Sequence, residues 1–250
     1  MLTPPEIARS LLAAGESKAR LPFGKMLLLA IFAGVGATAA AVTVESGSLA
    51  KLLSACVFPA GLSMVILAGS ELFTGNCLMV MALLERRITP AQLLRNWLTV
   101  YLGNAMGGAA VAALAVYSHT ASLFGDGLAR SMVSIAESKA ALGAGDAFLR
   151  GVLCNFLVCL AVWMAAASKR AEGKVIALFF PILLFVLCGY EHCIANLYYL
   201  PAGAFAAAEY GMETTLTLAG CLKNLAAVTL GNLVGGAALG VGYRFAYLKE

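Results

Sequence analysis

The sequence predicts an all-α membrane protein with six transmembrane helices in an inverted three-plus-three repeat, helices two and five being broken. Three observations carry this. The 250 residues are 61% hydrophobic and only 12% charged, whereas a soluble domain carries about 25% charged residues. Several apolar stretches approach or exceed the roughly 18–20 residues needed to cross a bilayer. Two of these stretches are interrupted by similar polar motifs, and two others share a fifteen-residue pattern.

Taken in order, span one covers Met26–Val44. Span two runs from Leu52 to Gly69, is interrupted over Ser70–Asn76 and resumes as Cys77–Leu84. Span three covers Trp97–Val116, and a long loop, residues 117–147, leads to span four at Phe148–Ala167. Span five starts near Val175, is interrupted at Gly189–Asn196 and continues past Pro201. Span six covers Leu225–Tyr243. Ahead of these, Glu6 to Leu21 after Pro4-Pro5 reads as an amphipathic helix with Ile7, Leu11 and Leu12 on one side, suited to a membrane surface. The chain thus divides into a cytoplasmic N-terminal helix (1–25), one six-span domain (26–246) and a short tail (247–250). No apolar run before Lys25 matches a signal core, so a cleavable signal is not expected.

Six spans put both termini on one side. That side carries 12 of the 17 Lys and Arg residues and the other carries five, so the positive-inside rule places both termini in the cytoplasm of a cell membrane. The net charge of +4 comes from residues flanking apolar runs and calls for no nucleic-acid partner. The seven cysteines form no CxxC pair and read as small core residues; no metal site or other cofactor is expected.

The repeat rests on two alignments. Asn96–Ala110 and Asn224–Ala238 are identical at nine of fifteen positions, at an offset of 128. Gly69, Glu71 and Asn76 recur as Gly189, Glu191 and Asn196, at an offset of 120. Spans two and three therefore correspond to spans five and six. Partners lie three spans apart, an odd number, so the halves sit in opposite orientations. Paired interruptions in an inverted repeat point to a transport site. A helix break exposes backbone groups, which is tolerable only against protein or a water-filled cavity. Gly103-x-x-x-Gly107 and Gly231-x-x-x-Gly235 supply close helix packing in each half.

Glu71, Glu191 and His192 are the ionisable residues at membrane depth. Such residues are functional by default. The two glutamates suit a structural role, accepting hydrogen bonds from backbone donors freed at the breaks, since a fixed negative charge would repel an anion. His192 sits inside the second break. Imidazole donates a hydrogen bond and exchanges a proton near neutral pH, so a central, pore-facing role is expected. Thr74 and Asn155 are polar companions, equally suited to interhelical hydrogen bonding. Leu72 and Phe73 are placed to narrow a pore, and Lys139 reads on its own as a loop lysine.

Gly69-Ser-Glu-Leu-Phe-Thr-Gly-Asn76, Gly189-Tyr-Glu-His-Cys-Ile-Ala-Asn196, Gly151-Val-Leu-Cys-Asn-Phe-Leu-Val-Cys-Leu-Ala-Val-Trp163 and Asn96-Trp-Leu with Leu102-Gly-Asn104 resemble the signatures of the formate/nitrite transporter family, in order and over nearly the whole chain. The resemblance implies a homopentamer of aquaporin-like six-helix protomers, each with its own pore, passing formate, nitrite, hydrosulfide or related anions across the lipid bilayer. It further implies that His192 is the central histidine, Thr74 the break threonine, Asn155 the fourth-span asparagine, Lys139 the vestibule lysine and Leu72 a constriction residue. The N-terminal helix resembles a segment that gates the cytoplasmic mouth. The wording of the two breaks is similar to nitrite channels more than to the formate channel.

Two other classes compete. An aquaporin-type neutral-solute channel would share the repeat, but no Asn-Pro-Ala triplet occurs. A membrane redox subunit would need paired axial ligands for two haems, which His119 and His192 cannot supply. No catalytic constellation is visible, so an enzyme is not expected.

Overall fold

The computed structural model describes residues 1–38 and 48–248, and among these residues every regular element is helical. The order is α1 (Pro4–Ala19), α2 (Phe23–Thr38), α3 (Ser48–Val57), α4 (Pro59–Ala68), α5 (Phe73–Asn76), α6 (Val80–Leu84), α7 (Pro90–Tyr117), α8 (Gly127–Ala141), α9 (Ala144–Ala166), α10 (Ala171–Leu187), α11 (Cys193–Glu209) and α12 (Leu218–Tyr247). Among the described residues, four stretches are long and apolar enough to cross a membrane: Lys51–Ala68, α7, α9 and α12. The start of α7 shows how sequence sets these boundaries. Thr89 Oγ1 accepts from Gln92 N, Gln92 Oε1 accepts from Thr89 N, and Pro90 opens the helix, so the first orphan donors are satisfied reciprocally.

The bundle is built on two close helix pairs, α2 with α7 and α9 with α12. Glycine makes the second pair possible. A Cβ on Gly231 would strike the Phe148 carbonyl oxygen, and one on Gly235 would strike that of Val152. At Gly103 on α7 it would meet the Leu27 oxygen at 3.0 Å. These are backbone-to-backbone contacts, the approach that small residues permit. The main apolar core lies between the pairs, from Met26, Ala30 and Val100 on one side to Cys154, Val158 and Val228 on the other. Leu94, Leu98, Leu102 and Met106 form an exposed stripe four residues apart along α7, as expected of a helix whose outer face meets an apolar surround.

Several sequence expectations are corrected. The first break is shorter than Ser70–Asn76, because the chain is helical again from Phe73, and the second ends at His192 rather than Asn196. Residues 117–147 are not a loop throughout, since α8 fills half of them and packs on α11. Its small residues Ala129 and Ala136 are fully buried. Spans three and six extend about a turn or more beyond their predicted ends at one or both sides. The apolar face of α1 is spent on the protein and not on a membrane surface: Ile7, Ala8, Leu12 and Ala19 are buried with Met79, Ala82 and Trp163. Cys56 and Cys188 are exposed and not core residues. The predicted end of span one at Val44, and Lys249 of the C-terminal tail, lie outside the described residues.

The glycine contacts give a stability test. Gly235→Leu forces α9 and α12 apart and should destabilise the protein by about 3 kcal/mol or more. Gly242→Ala, with nothing within 4 Å of the added carbon, should stay within about 0.5 kcal/mol of the parent. Thermal unfolding in detergent measures both. Equal melting of the two variants would contradict backbone contact at Gly235.

Candidate functional site

Both breaks begin the same way. Gly69 (φ 72°) and Gly189 (φ 68°) adopt the left-handed conformation that ends a helix and favours glycine. Two or three extended residues follow, and a new helix starts at Phe73 or Cys193. The first backbone donor of each new helix is then taken by an asparagine. Asn104 Oδ1 accepts from Phe73 N at 3.0 Å, while its Nδ2 donates to the Ala30 and Glu71 carbonyls at 2.6 and 3.0 Å. Asn232 Oδ1 accepts from Cys193 N at 2.9 Å, and its Nδ2 donates to the Gly151 and Glu191 carbonyls at 2.8 and 2.9 Å. Each asparagine is fully buried, and each pins a break to two neighbouring helices with one amide.

A second polar cluster sits beside each break. Asn76 Nδ2 donates to Glu71 Oε2 (2.8 Å) and Asn96 Oδ1 (3.0 Å). Asn196 Nδ2 donates to Glu191 Oε2 (2.7 Å) and Asn224 Oδ1 (2.8 Å). An ammonium closes each cluster. Lys18 Nζ lies 2.8 Å from Glu71 Oε1 and 3.0 Å from Asn76 Oδ1. Lys139 Nζ lies 2.9 and 3.1 Å from the two Glu191 oxygens. The glutamates therefore accept from asparagine and lysine side chains. The freed backbone donors at Phe73 and Cys193, expected to bond them, go to Asn104 and Asn232 instead. The clusters differ at two points. Lys18 reaches Asn76 Oδ1, whereas Asn196 Oδ1 has no partner among the described residues. Asn224 Nδ2 donates to the Lys139 carbonyl (2.9 Å), whereas Asn96 Nδ2 reaches only Met26 Sδ (3.6 Å).

The two breaks meet. His192 Nδ1 accepts from Ala195 N (3.1 Å), which caps α11, and its Nε2 lies 3.1 Å from Thr74 Oγ1. An Nδ1 that accepts carries no proton, so in the neutral ring the proton sits on Nε2 and is donated to Thr74. Asn155 Nδ2 donates to the Thr74 and Asn232 carbonyls (3.2 and 2.7 Å), bracing break one against α12. Phe185 stacks on His192 with ring centroids 5.9 Å apart.

Cavities open on both sides of this contact. One of about 690 Å³ includes Lys139, Glu191, His192, Ser54, Lys51 and Arg150 in its wall. Another of about 360 Å³ includes Lys18, Glu71, Leu72, Asn76 and Ser70. Between them lies a pocket of about 20 Å³ bounded by Phe58, Leu62, Leu72, Ile182, Phe185 and His192. That is room for about one water, and among the described residues that line it His192 has the one polar side chain. Leu72 thus stands at the narrowing. Phe73 does not, since its ring packs edge-on against Tyr101 and Trp97 at 5.1 and 6.4 Å.

The structure therefore places Thr74, His192 and Leu72 together at the centre and joins Lys139 to Glu191 at one mouth. Five further residues belong to the site. Lys18 precedes Lys139 by 121 residues, close to the 120-residue offset of the breaks, but lies ahead of the spans that carry the repeat. Asn96, Asn104, Asn224 and Asn232 lie inside the fifteen-residue repeat, whose glycines read as its packing signal.

The asparagine brackets are testable. Asn232→Ala leaves two buried backbone groups at the break, the Cys193 N–H and the Glu191 carbonyl, without their partner and should cost at least ~2 kcal/mol, read as a lower unfolding midpoint in detergent. Ser138→Ala, on an exposed side chain, should not. An unchanged midpoint for Asn232→Ala would contradict the bracket.

Comparison with known proteins agrees with this geometry. The formate/nitrite transporter family model matches residues 5–246. A probable formate transporter from Methanothermobacter thermautotrophicus is 37% identical, with 99% of this chain and 98% of that protein aligned. A solved ion channel of the same family superposes with a TM-score of 0.83 at 29% identity, covering 96% of this chain and 98% of the other. A pentameric formate channel with formate bound superposes with a TM-score of 0.80 at 32% identity, covering 91% and 98%. The chain is a multi-pass membrane protein and belongs to the formate/nitrite transporter family.

Proposed function

We propose that this chain forms a homopentamer in which each protomer encloses its own route for small monovalent weak-acid anions, formate first, with nitrite and hydrosulfide as related substrates. The observation that carries this is a largely apolar narrowing between two polar mouths, each holding a lysine–glutamate pair. Relatives and a solved neighbour named for formate support formate ahead of nitrite. Six spans in an inverted repeat, arranged like an aquaporin, account for the recurrence of one hydrogen-bond pattern around both breaks. The 12-to-5 bias in Lys and Arg supports cytoplasmic termini in the cell membrane, with α1 covering the cytoplasmic mouth and residues 26–246 forming the transport domain.

The energetics favour passage as the neutral acid. An anion entering the narrowing sheds hydration worth far more than one contact returns. The lysine at each mouth meets the anion at close range as a charged hydrogen-bond donor, its field at longer range being largely cancelled by its glutamate. Beyond it the low dielectric favours the protonated form. His192, with Nδ1 engaged as a cap, serves as a fixed donor through Nε2, and the substrate draws its proton from vestibule water. A relay through His192 itself needs the imidazolium, whose Nδ1–H would face the Ala195 N–H. A neutral-solute channel has no use for a lysine in each mouth.

His192→Asn separates the two roles, because asparagine donates a hydrogen bond and does not titrate. Under the fixed-donor reading the variant keeps the wild-type pH dependence of formate uptake into proteoliposomes, at a reduced rate. Anion conduction with the pH dependence lost would show proton transfer by His192. At the mouth, Lys139→Glu should cut formate flux about tenfold or more, by placing a second carboxylate beside Glu191, while Lys139→Arg should retain much of it. Equal flux in wild type and Lys139→Glu at low salt would remove that role.

A further inference from the structure

The two mouths carry one polar pattern but different charge. In each, a lysine is paired with a glutamate at 2.8–2.9 Å, so at a distance of several ångströms each pair attracts an anion only weakly. Among the described residues, the cavity at Lys18 has no charged residue in its wall beyond Lys18 and Glu71. The cavity at Lys139 has two more, Lys51 and Arg150. Both are exposed, and neither has a carboxylate partner among the described residues. Arg150 occupies a matched position. Its carbonyl accepts from Glu191 N (3.4 Å), just as the Leu29 carbonyl accepts from Glu71 N (3.2 Å). One backbone contact is thus made by leucine beside the first break and by arginine beside the second. Lys51, in turn, is matched at the 120-residue offset by Ala171.

We propose that Arg150 and Lys51 form an anion-collecting site at the Lys139 mouth that the Lys18 mouth lacks, so that entry of monovalent anions from that side half-saturates at a lower concentration. The inference rests on the anion-channel reading above. The paired lysine meets the anion in the mouth, and the two cations that have no carboxylate partner among the described residues raise its concentration in the antechamber. Neither needs a fixed geometry, because both lie on the wall of one cavity, well within a Debye length at low salt. Binding therefore improves at one entrance while the barrier at the narrowing stays as it was. The equilibrium across the membrane is untouched, and the difference lies in the apparent affinity on each face.

The test uses the full chain reconstituted in vesicles, with orientation determined by impermeant labelling and radiolabelled formate as the probe. In about 0.01 M salt, R150Q/K51Q should raise the apparent KM for entry at the Lys139 mouth about three- to tenfold. The saturated rate for entry there should rise in the same proportion, because a passive route has one ratio of saturated rate to KM for both directions, and the KM for entry at the Lys18 mouth should be unaffected. In about 1 M salt, where the Debye length falls to about 3 Å, the difference should vanish. R150K/K51R keeps both charges and should match wild type. An unchanged KM at low salt, or an equal rise at both mouths, overturns the proposal. Wild-type protein that takes up no formate would instead remove the underlying transport reading.

Discussion

Everything in this molecule depends on closing two gaps in its backbone hydrogen bonding. A helix that stops inside an apolar bundle leaves donors and acceptors unpaired, each costing several kcal/mol. Asn104 and Asn232 meet that demand with one side-chain oxygen and one amide group apiece. A short side chain reaches this far only if its helix lies close. The glycines at 103, 231 and 235, which let α7 touch α2 and α12 touch α9, are thus the packing counterpart of the asparagine brackets. Glycine, asparagine and break form one unit, present twice.

That unit fixes where polar chemistry can occur. With their backbones pinned, the breaks bring Thr74 and His192 to 3.1 Å across 118 residues of sequence. They also aim Glu71 and Glu191 away from the centre, toward a lysine on each side. Charge is therefore held at the mouths and kept out of the narrowing, where Leu72, Phe58 and Phe185 meet His192. The mouths are not held equally. Asn224 ties the Lys139 backbone into its cluster, and the Lys139 side chain is 15% exposed against 30% for Lys18. Lys18 belongs to α1, which docks on the bundle by the face that carries Ile7, Ala8, Leu12 and Ala19.

Much of this was legible in the residues. Gly-x-Glu at both breaks and the Gly-Asn-x-x-Gly-Gly pattern mark the interruptions and the repeat directly, because a left-handed cap and a backbone contact each favour glycine. Break length was not legible. Asn76 and Asn196 look like broken-helix residues because they are polar, yet they sit in the first turn of the new helix with side chains turned back to the glutamates. The helix α8 has helical spacing, with Leu128, Met132, Ala136 and Ala140 buried four residues apart, but at 15 residues with Arg, Ser, Glu and Lys among them it does not read as a membrane span. Lys18 was hidden by its place outside the spans. No local pattern reports a contact such as Thr74–His192, which the tertiary arrangement alone creates.

The central claim is that substrate crosses the narrowing as a neutral acid between two mouths that meet it as an anion. The most direct test records formate uptake and internal pH together in proteoliposomes held at a fixed membrane potential. One proton delivered per formate, with no net current, is the expected result. Formate entry that carries current and leaves internal pH unchanged would contradict it.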